Sequence, residues 1–183
     1  MLPPDIAGHP ALDLLNTSGT THGKPHDFLR TDEDVLLWLR RKNFVGDGPL
    51  PVYEEGAVVN AAIRLREITQ TLVQALLDQS VPDVVALNGF LACGTRHVQI
   101  VDDHSALRVE DRHDAYTPEQ LLSKVGQTVA DLVVHCEPSS ILRCTNDDCG
   151  LFFYDGKKSG RERCGWSICN SRGTMRAPAA KAD

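Results

Sequence analysis

CTNDDCGLFFYDGKKSGRERCGWSIC, residues 144–169, is the stretch that decides how the chain is read. It places Cys144 and Cys149 with four residues between them, then leaves fourteen residues before Cys164 and Cys169, again with four between. Two equally spaced cysteine pairs joined by a linker of this length point to zinc. Zinc takes four soft or borderline ligands in a tetrahedron. A pair close in sequence supplies two of them from one turn at little loop-closure cost. The alternatives are two disulfides or a set of unrelated thiols. An all-cysteine set closes the coordination sphere, so the spacing predicts a structural metal with no position for an activated water.

Within the stretch, Asn146, Asp147 and Asp148 favour a tight turn between the first two ligands. Phe152, Phe153 and Tyr154 form a short strand-like aromatic run that can pack over the metal. Cys164 and Cys169 cannot both lie mid-helix and face one ion, because five residues rotate the second side chain about 140° away. Cys164 is therefore expected to precede a helix whose first turn carries Cys169, with Ser167 as a cap. This is a treble-clef-like arrangement. Trp166, between two ligands, is expected to cover the site.

The charge around this stretch is unlike the rest of the chain. The 183 residues carry a formal net charge of −6, yet residues 143–183 hold eight basic and five acidic side chains. Lys157, Lys158, Arg161, Arg163, Arg172 and Arg176 are thus the candidate contacts to nucleic-acid phosphates, with a solvated rim as the plain alternative. The acidic remainder argues against a protein coated in nucleic-acid contacts. Six cysteines in a chain whose start lacks a basic, apolar leader fit metal ligands or buried thiols better than disulfides, and predict a cytoplasmic protein. No run approaches the roughly 18 apolar residues of a membrane span.

Upstream, residues 6–17 (IAGHPALDLLNT) are apolar and short, and an extended segment is expected at Ala11–Leu15. Asp13 and Asn16 there read as polar groups capping a helix or closing a turn. Residues 18–30 are rich in Gly, Ser, Thr and Pro and read as a loop. Thr31 caps a helix with acids in its first turn and Val35, Leu36, Trp38 and Leu39 on one face. A second loop spans 43–53. Apolar residues at three- and four-residue intervals from Val58 to Leu76 predict a long helix over about 54–78. Pro82 opens another over about 83–92. His97–Val101 and Ala106–Asp111 read as a hairpin. Thr117 and Pro118 begin a helix expected to run to Cys136 and to stop before Pro138. Cys93 and Cys136 fall on apolar helix faces and are expected to be buried. His22 with His26, and His135 beside Cys136, are weaker metal-ligand candidates.

The fold class that follows is α+β: a mostly helical body with a small antiparallel hairpin or sheet, and a zinc-stapled C-terminal module. The division falls at 1–138 and 139–183. No phosphate-binding glycine loop, Ser/His/Asp order or paired carboxylates stand out, so no enzyme is expected.

The residues quoted also carry a family resemblance. The run Cys144–Cys149, GLFFYD, RER-Cys164-GWSI-Cys169 and Arg172 resembles the CGNR zinc finger. GHPALDLLNT (8–17) followed by DFLRTDEDVLLWL (27–39) resembles the ABATE domain that precedes that finger. Asn170 and Ser171 stand where the finger's signature has Gly and Asn, and Arg161-Glu162-Arg163 stands where it has Arg-Arg-Trp. The resemblance implies a largely bacterial family described as stress-induced transcriptional regulators. It implies Cys144, Cys149, Cys164 and Cys169 as the Zn²⁺ ligands and DNA as a partner. A sensing or dimerising N-terminal domain would accompany them, with a homodimer or a protein partner as the further expectation.

Overall fold

A computed structural model describes residues 3–21, 24–102 and 106–170. Helix α1 (Pro10–Leu15) leads into a two-stranded antiparallel hairpin, β1 (Ser18–Thr21) with β2 (Lys24–Asp27). Helices α2 (Asp32–Arg41), α3 (Ala57–Leu77) and α4 (Val85–Leu91) follow. A second hairpin joins β3 (Arg96–Asp102) to β4 (Leu107–His113). Then come α5 (Pro118–Leu121), α6 (Ser123–His135) and a third hairpin of β5 (Ile141–Arg143) and β6 (Phe152–Tyr154). The last described element is α7 (Ser167–Asn170). The chain is thus α+β, mostly helical with small antiparallel sheets and a C-terminal cysteine cluster.

The centre of the body is α3, which packs against α1, α2, α4, α5 and α6. Its apolar period puts Val58, Ala62, Leu65, Leu72 and Leu76 into the core, as the sequence predicts, beside Trp38, Leu39, Phe90 and Leu132. Its N-terminus begins at Gly56, which has no side chain to cap with. Asp32 at the start of α2 supplies the cap instead. Its carboxylate accepts from Gly56 N at 2.8 Å and Val59 N at 2.7 Å, and its charge suits the positive end of the helix. The expected Thr31 cap on α2 is a full capping box with Asp34. Thr117 and Gln120 form another on α5.

Four expectations change. Ala11–Leu15 is helical: the His9 ring accepts from Ala11 N at 3.3 Å, and Pro10 sits in the first turn, where it needs no hydrogen-bond partner. Residues 18–30 are not a plain loop, since β1 and β2 pair within them. The 117–136 helix is broken at Leu122 (φ −90°, ψ 0°), dividing α5 from α6. Cys93 lies past the end of α4 and is exposed, while Cys136 is half-buried.

Polar groups then fix α1 in place. The buried Asp13 carboxylate accepts from Ile6 N and Ala7 N at 3.3 and 3.1 Å. Lys42 at the end of α2 bridges Asp13 and Asp5, 2.5 Å from each. The capping or turn-closing role expected of Asp13 is met by these contacts. Gly8 adopts φ +72°, and a Cβ there would sit 3.2 Å from the Tyr154 carbonyl oxygen. Only glycine allows this approach of α1 to β6 without strain.

Candidate metal centre

Each cysteine reaches the cluster by its own route. Cys144 follows β5 directly, and Cys149 ends the turn that returns the chain to β6. Asn146 tightens that turn: its carbonyl oxygen accepts from Cys149 N at 2.8 Å, and its side-chain oxygen from Asp148 N at 3.2 Å. Cys164 arrives at the end of the basic segment, and Cys169 sits within α7. The expected placement of Cys164 before a helix carrying Cys169 matches this order. Gly165 adopts φ +82°, a left-handed turn between Cys164 and Trp166.

All four sulfurs are buried and lie within 4.8 Å of one another. The Sγ atoms of Cys144 and Cys169 are 3.7 Å apart, and those of Cys149 and Cys164 are 3.9 Å apart. A tetrahedron with zinc–sulfur bonds of about 2.3 Å has edges near 3.8 Å. A disulfide needs about 2.05 Å. The spacing therefore suits a shared ion and not paired sulfurs.

The surroundings suit thiolates. Backbone amides of Asn146, Leu151 and Trp166 each point to the sulfur two residues earlier. Cys164 N also donates to Cys144 Sγ at 3.5 Å. The Asn146 side-chain amide donates to Cys169 Sγ at 3.3 Å and to Cys169 O at 3.2 Å. Such donors orient ligands and spread their charge. Burial disfavours the Cys144 thiolate, yet the Asn146 and Cys164 amides, together with the Cys169 and Cys149 side chains, outweigh it and hold that thiol below its usual range. Burial pushes the Cys149 thiol far up, and pushes Cys164 up to about 12, with the neighbouring sulfurs adding to both. Four thiolates cannot share this space without a cation. A divalent ion removes that conflict and takes up the negative charge. The geometry is consistent with a zinc site.

An apolar shell encloses the sulfurs. Leu151 and Phe153 are fully buried against them, with Ile6, Leu142 and Trp166 at the margin. Along β6 the alternation of a strand divides the aromatics: Phe153 faces the sulfurs, while Phe152 joins the core of the body together with Ile141. Trp166 lies beside the cluster as expected, 6.2 Å from the His26 ring and 6.5 Å from Phe28 between centroids. The first hairpin thus supports the module through aromatic contact. Gly150 N adds a hydrogen bond to Thr20 O at 3.2 Å.

The sequence did not reveal the second role of Asn146, because an asparagine in a turn carries no signal that its amide will meet a sulfur 23 residues away. The other described metal candidates, His26 and His135, do not join this cluster. Among the described residues, the four cysteines are the group of His, Cys, Asp or Glu with metal-binding spacing. His26 packs on Phe28 and Trp166, and His22 lies outside the described residues.

Of the candidate phosphate contacts, Lys157, Lys158, Arg161 and Arg163 are exposed on the segment between β6 and Cys164. Lys158 Nζ lies 4.0 Å from the Glu137 carboxylate. The Arg161 guanidinium stacks 4.3 Å over the Phe153 ring. Arg172 and Arg176 lie outside the described residues. Among the described residues, no helix is long and apolar enough to cross a membrane.

Comparison with known proteins adds one relationship. No curated protein matches the chain. The ABATE family profile, described as "Putative stress-induced transcription regulator", matches residues 8–135, which include α1 through α6 and end before the cysteine cluster. The chain belongs to the ABATE family.

Proposed function

We propose that the protein is a transcription regulator in which a structural zinc, held by Cys144, Cys149, Cys164 and Cys169, shapes a basic segment for contact with DNA phosphates. The observation that carries this reading is the burial of the four sulfurs within 4.8 Å of one another, with the exposed Lys157, Lys158, Arg161 and Arg163 on the loop that the ion would close. Arg172 and Arg176 join the proposal on sequence alone, as does the CGNR-type finger to which the segment would belong. The family supports a regulatory role and is not a family of enzymes. In this reading residues 1–138 sense a signal or dimerise, and residues 139–183 engage DNA.

Zinc here supplies folding energy and neutralises thiolates. The protein's own groups do the rest: amides at Asn146, Leu151 and Trp166 orient the sulfurs, and the lysines and arginines meet phosphates. With so few cations available, affinity is modest and largely independent of sequence. Fluorescence anisotropy on a labelled duplex tests it. Binding weakens steeply with salt, and Lys157→Ala with Arg163→Ala lowers the slope of log K against log salt by about 1–2. Absence of binding in low salt contradicts DNA contact.

A second reading keeps the zinc purely architectural and gives the protein a protein partner. It is favoured by the engagement of two of the cations by the protein itself: Arg161 on Phe153 within the module and Lys158 near Glu137 of the body.

A further inference from the structure

The hairpin of β3 and β4 carries an apolar face that nothing in the described structure covers. The register pairs Val98 with Asp111, Ile100 with Val109 and Asp102 with Leu107. Directly opposed residues share a face, so Val98, Ile100, Leu107 and Val109 form one patch, bordered on that face by the Arg96–Asp111 ion pair at 2.8 Å. Their exposures are 64, 67, 72 and 70 %. The opposite face is polar apart from Val101: Glu110 there bridges Arg108 and Arg112 at 2.9 and 2.8 Å. Among the described residues each strand pairs only with the other, so both outer edges offer backbone groups. A lone two-stranded hairpin is marginally stable in water, and an aliphatic edge strand invites a partner strand.

The two edges differ in what they accept. Arg96–Asp102 reads RHVQIVD and is nearly self-complementary about Gln99. Paired antiparallel with a second copy of itself, it sets Arg96, which also holds Asp111 of its own hairpin at 2.8 Å, against Asp102, Val98 against Ile100 and Gln99 against Gln99. Opposite charges and aliphatic pairs across a strand pair are favourable. The same operation on β4 sets Arg108 against Arg112 and Glu110 against Glu110, which is repulsive. The edge of β3 therefore selects a second copy of this chain, and the edge of β4 rejects one.

We propose that two copies associate through antiparallel pairing of β3 with β3 about a two-fold axis at Gln99. A four-stranded sheet in the order β4-β3-β3-β4 results. Its aliphatic face is continuous across the seam, and both isolated hairpins gain a neighbour. The contact is isologous, as closed symmetric dimers require. It is also small for a stable interface, so association depends on concentration. This deepens the dimerising role given to the body, and it is measured without DNA, so its failure leaves the phosphate-binding reading standing.

The test uses the full zinc-loaded chain. Sedimentation equilibrium is expected to show a monomer–dimer equilibrium whose midpoint rises at least tenfold in Ile100→Lys. Exposed positions tolerate substitution, and an unchanged circular dichroism spectrum verifies the fold. In a Cys93→Ser background, Gln99→Cys places two thiols at the seam and is expected to cross-link copies on mild oxidation, while Val109→Cys is not. A monomer at the highest concentration reached, or an unchanged midpoint in Ile100→Lys, overturns the proposal. So does cross-linking at 109 without cross-linking at 99, which indicates face-to-face packing.

Discussion

The side-chain amide of Asn16 and the backbone of Phe152 form a closed pair of hydrogen bonds across 136 residues of sequence. Asn16 Nδ2 donates to Phe152 O, and Asn16 Oδ1 accepts from Phe152 N, each at 2.8 Å and fully buried. The amide acts as one residue of a strand laid beside β6. It ties the C-terminal end of α1 to the strand whose next residue, Phe153, packs on the sulfurs.

Asn16→Ala leaves the Phe152 N–H and C=O buried without partners. An unpaired buried polar group costs about 1–3 kcal/mol. With two such groups, thermal unfolding of the variant is expected to fall by roughly 4–24 °C for a chain of this size. A shift within 1–2 °C would show that the pair contributes nothing.

Removal of the metal should reach beyond the module. Phe152 and Ile141 belong to the core of the body while their neighbours support the cysteine cluster. Binding of a structural zinc contributes on the order of 10 kcal/mol to a small site, and here that stabilisation would be shared with the helices. A strong chelator is expected to lower a single unfolding transition observed by far-ultraviolet circular dichroism. A body transition that stays in place while only the cysteine segment unfolds contradicts this coupling.

Acid should weaken the first hairpin through Asp27. Arg66 on α3 grips that carboxylate with both terminal nitrogens, at 2.9 and 2.6 Å. Burial works to raise the Asp27 pKa, but the guanidinium outweighs it and the net shift is below the ordinary 3.8. A depressed carboxylate stabilises the fold above its unfolded-state pKa and loses that contribution as pH falls through its folded value. Urea unfolding is expected to show stability declining below about pH 4. Arg66→Met is expected to flatten that decline, and an unchanged profile in the variant contradicts the assignment.

The legible parts of the fold were those with local cause. Thr31 and Thr117 cap helices through residues three positions away, and α3 shows its period over many turns. The cysteines declared themselves by spacing. What stayed hidden depends on distant partners. The six residues of α1 carry too short a pattern to separate helix from strand, and a histidine cap is an unusual start. The 18–30 hairpin is written in Gly, Thr and Pro, which read as loop until Trp166, far along the chain, packs on its His26 and Phe28. The Asn16–Phe152 pairing has no local signature, because the donor and acceptor it satisfies belong to a strand far downstream.

Zinc-edge X-ray absorption on the purified full chain, with metal content measured alongside, tests whether the four sulfurs hold one ion. One zinc per chain, with four sulfur neighbours at about 2.3 Å, is the predicted result. A metal-free protein with these cysteines joined as disulfides, or a zinc shell containing nitrogen or oxygen from the protein, would contradict it.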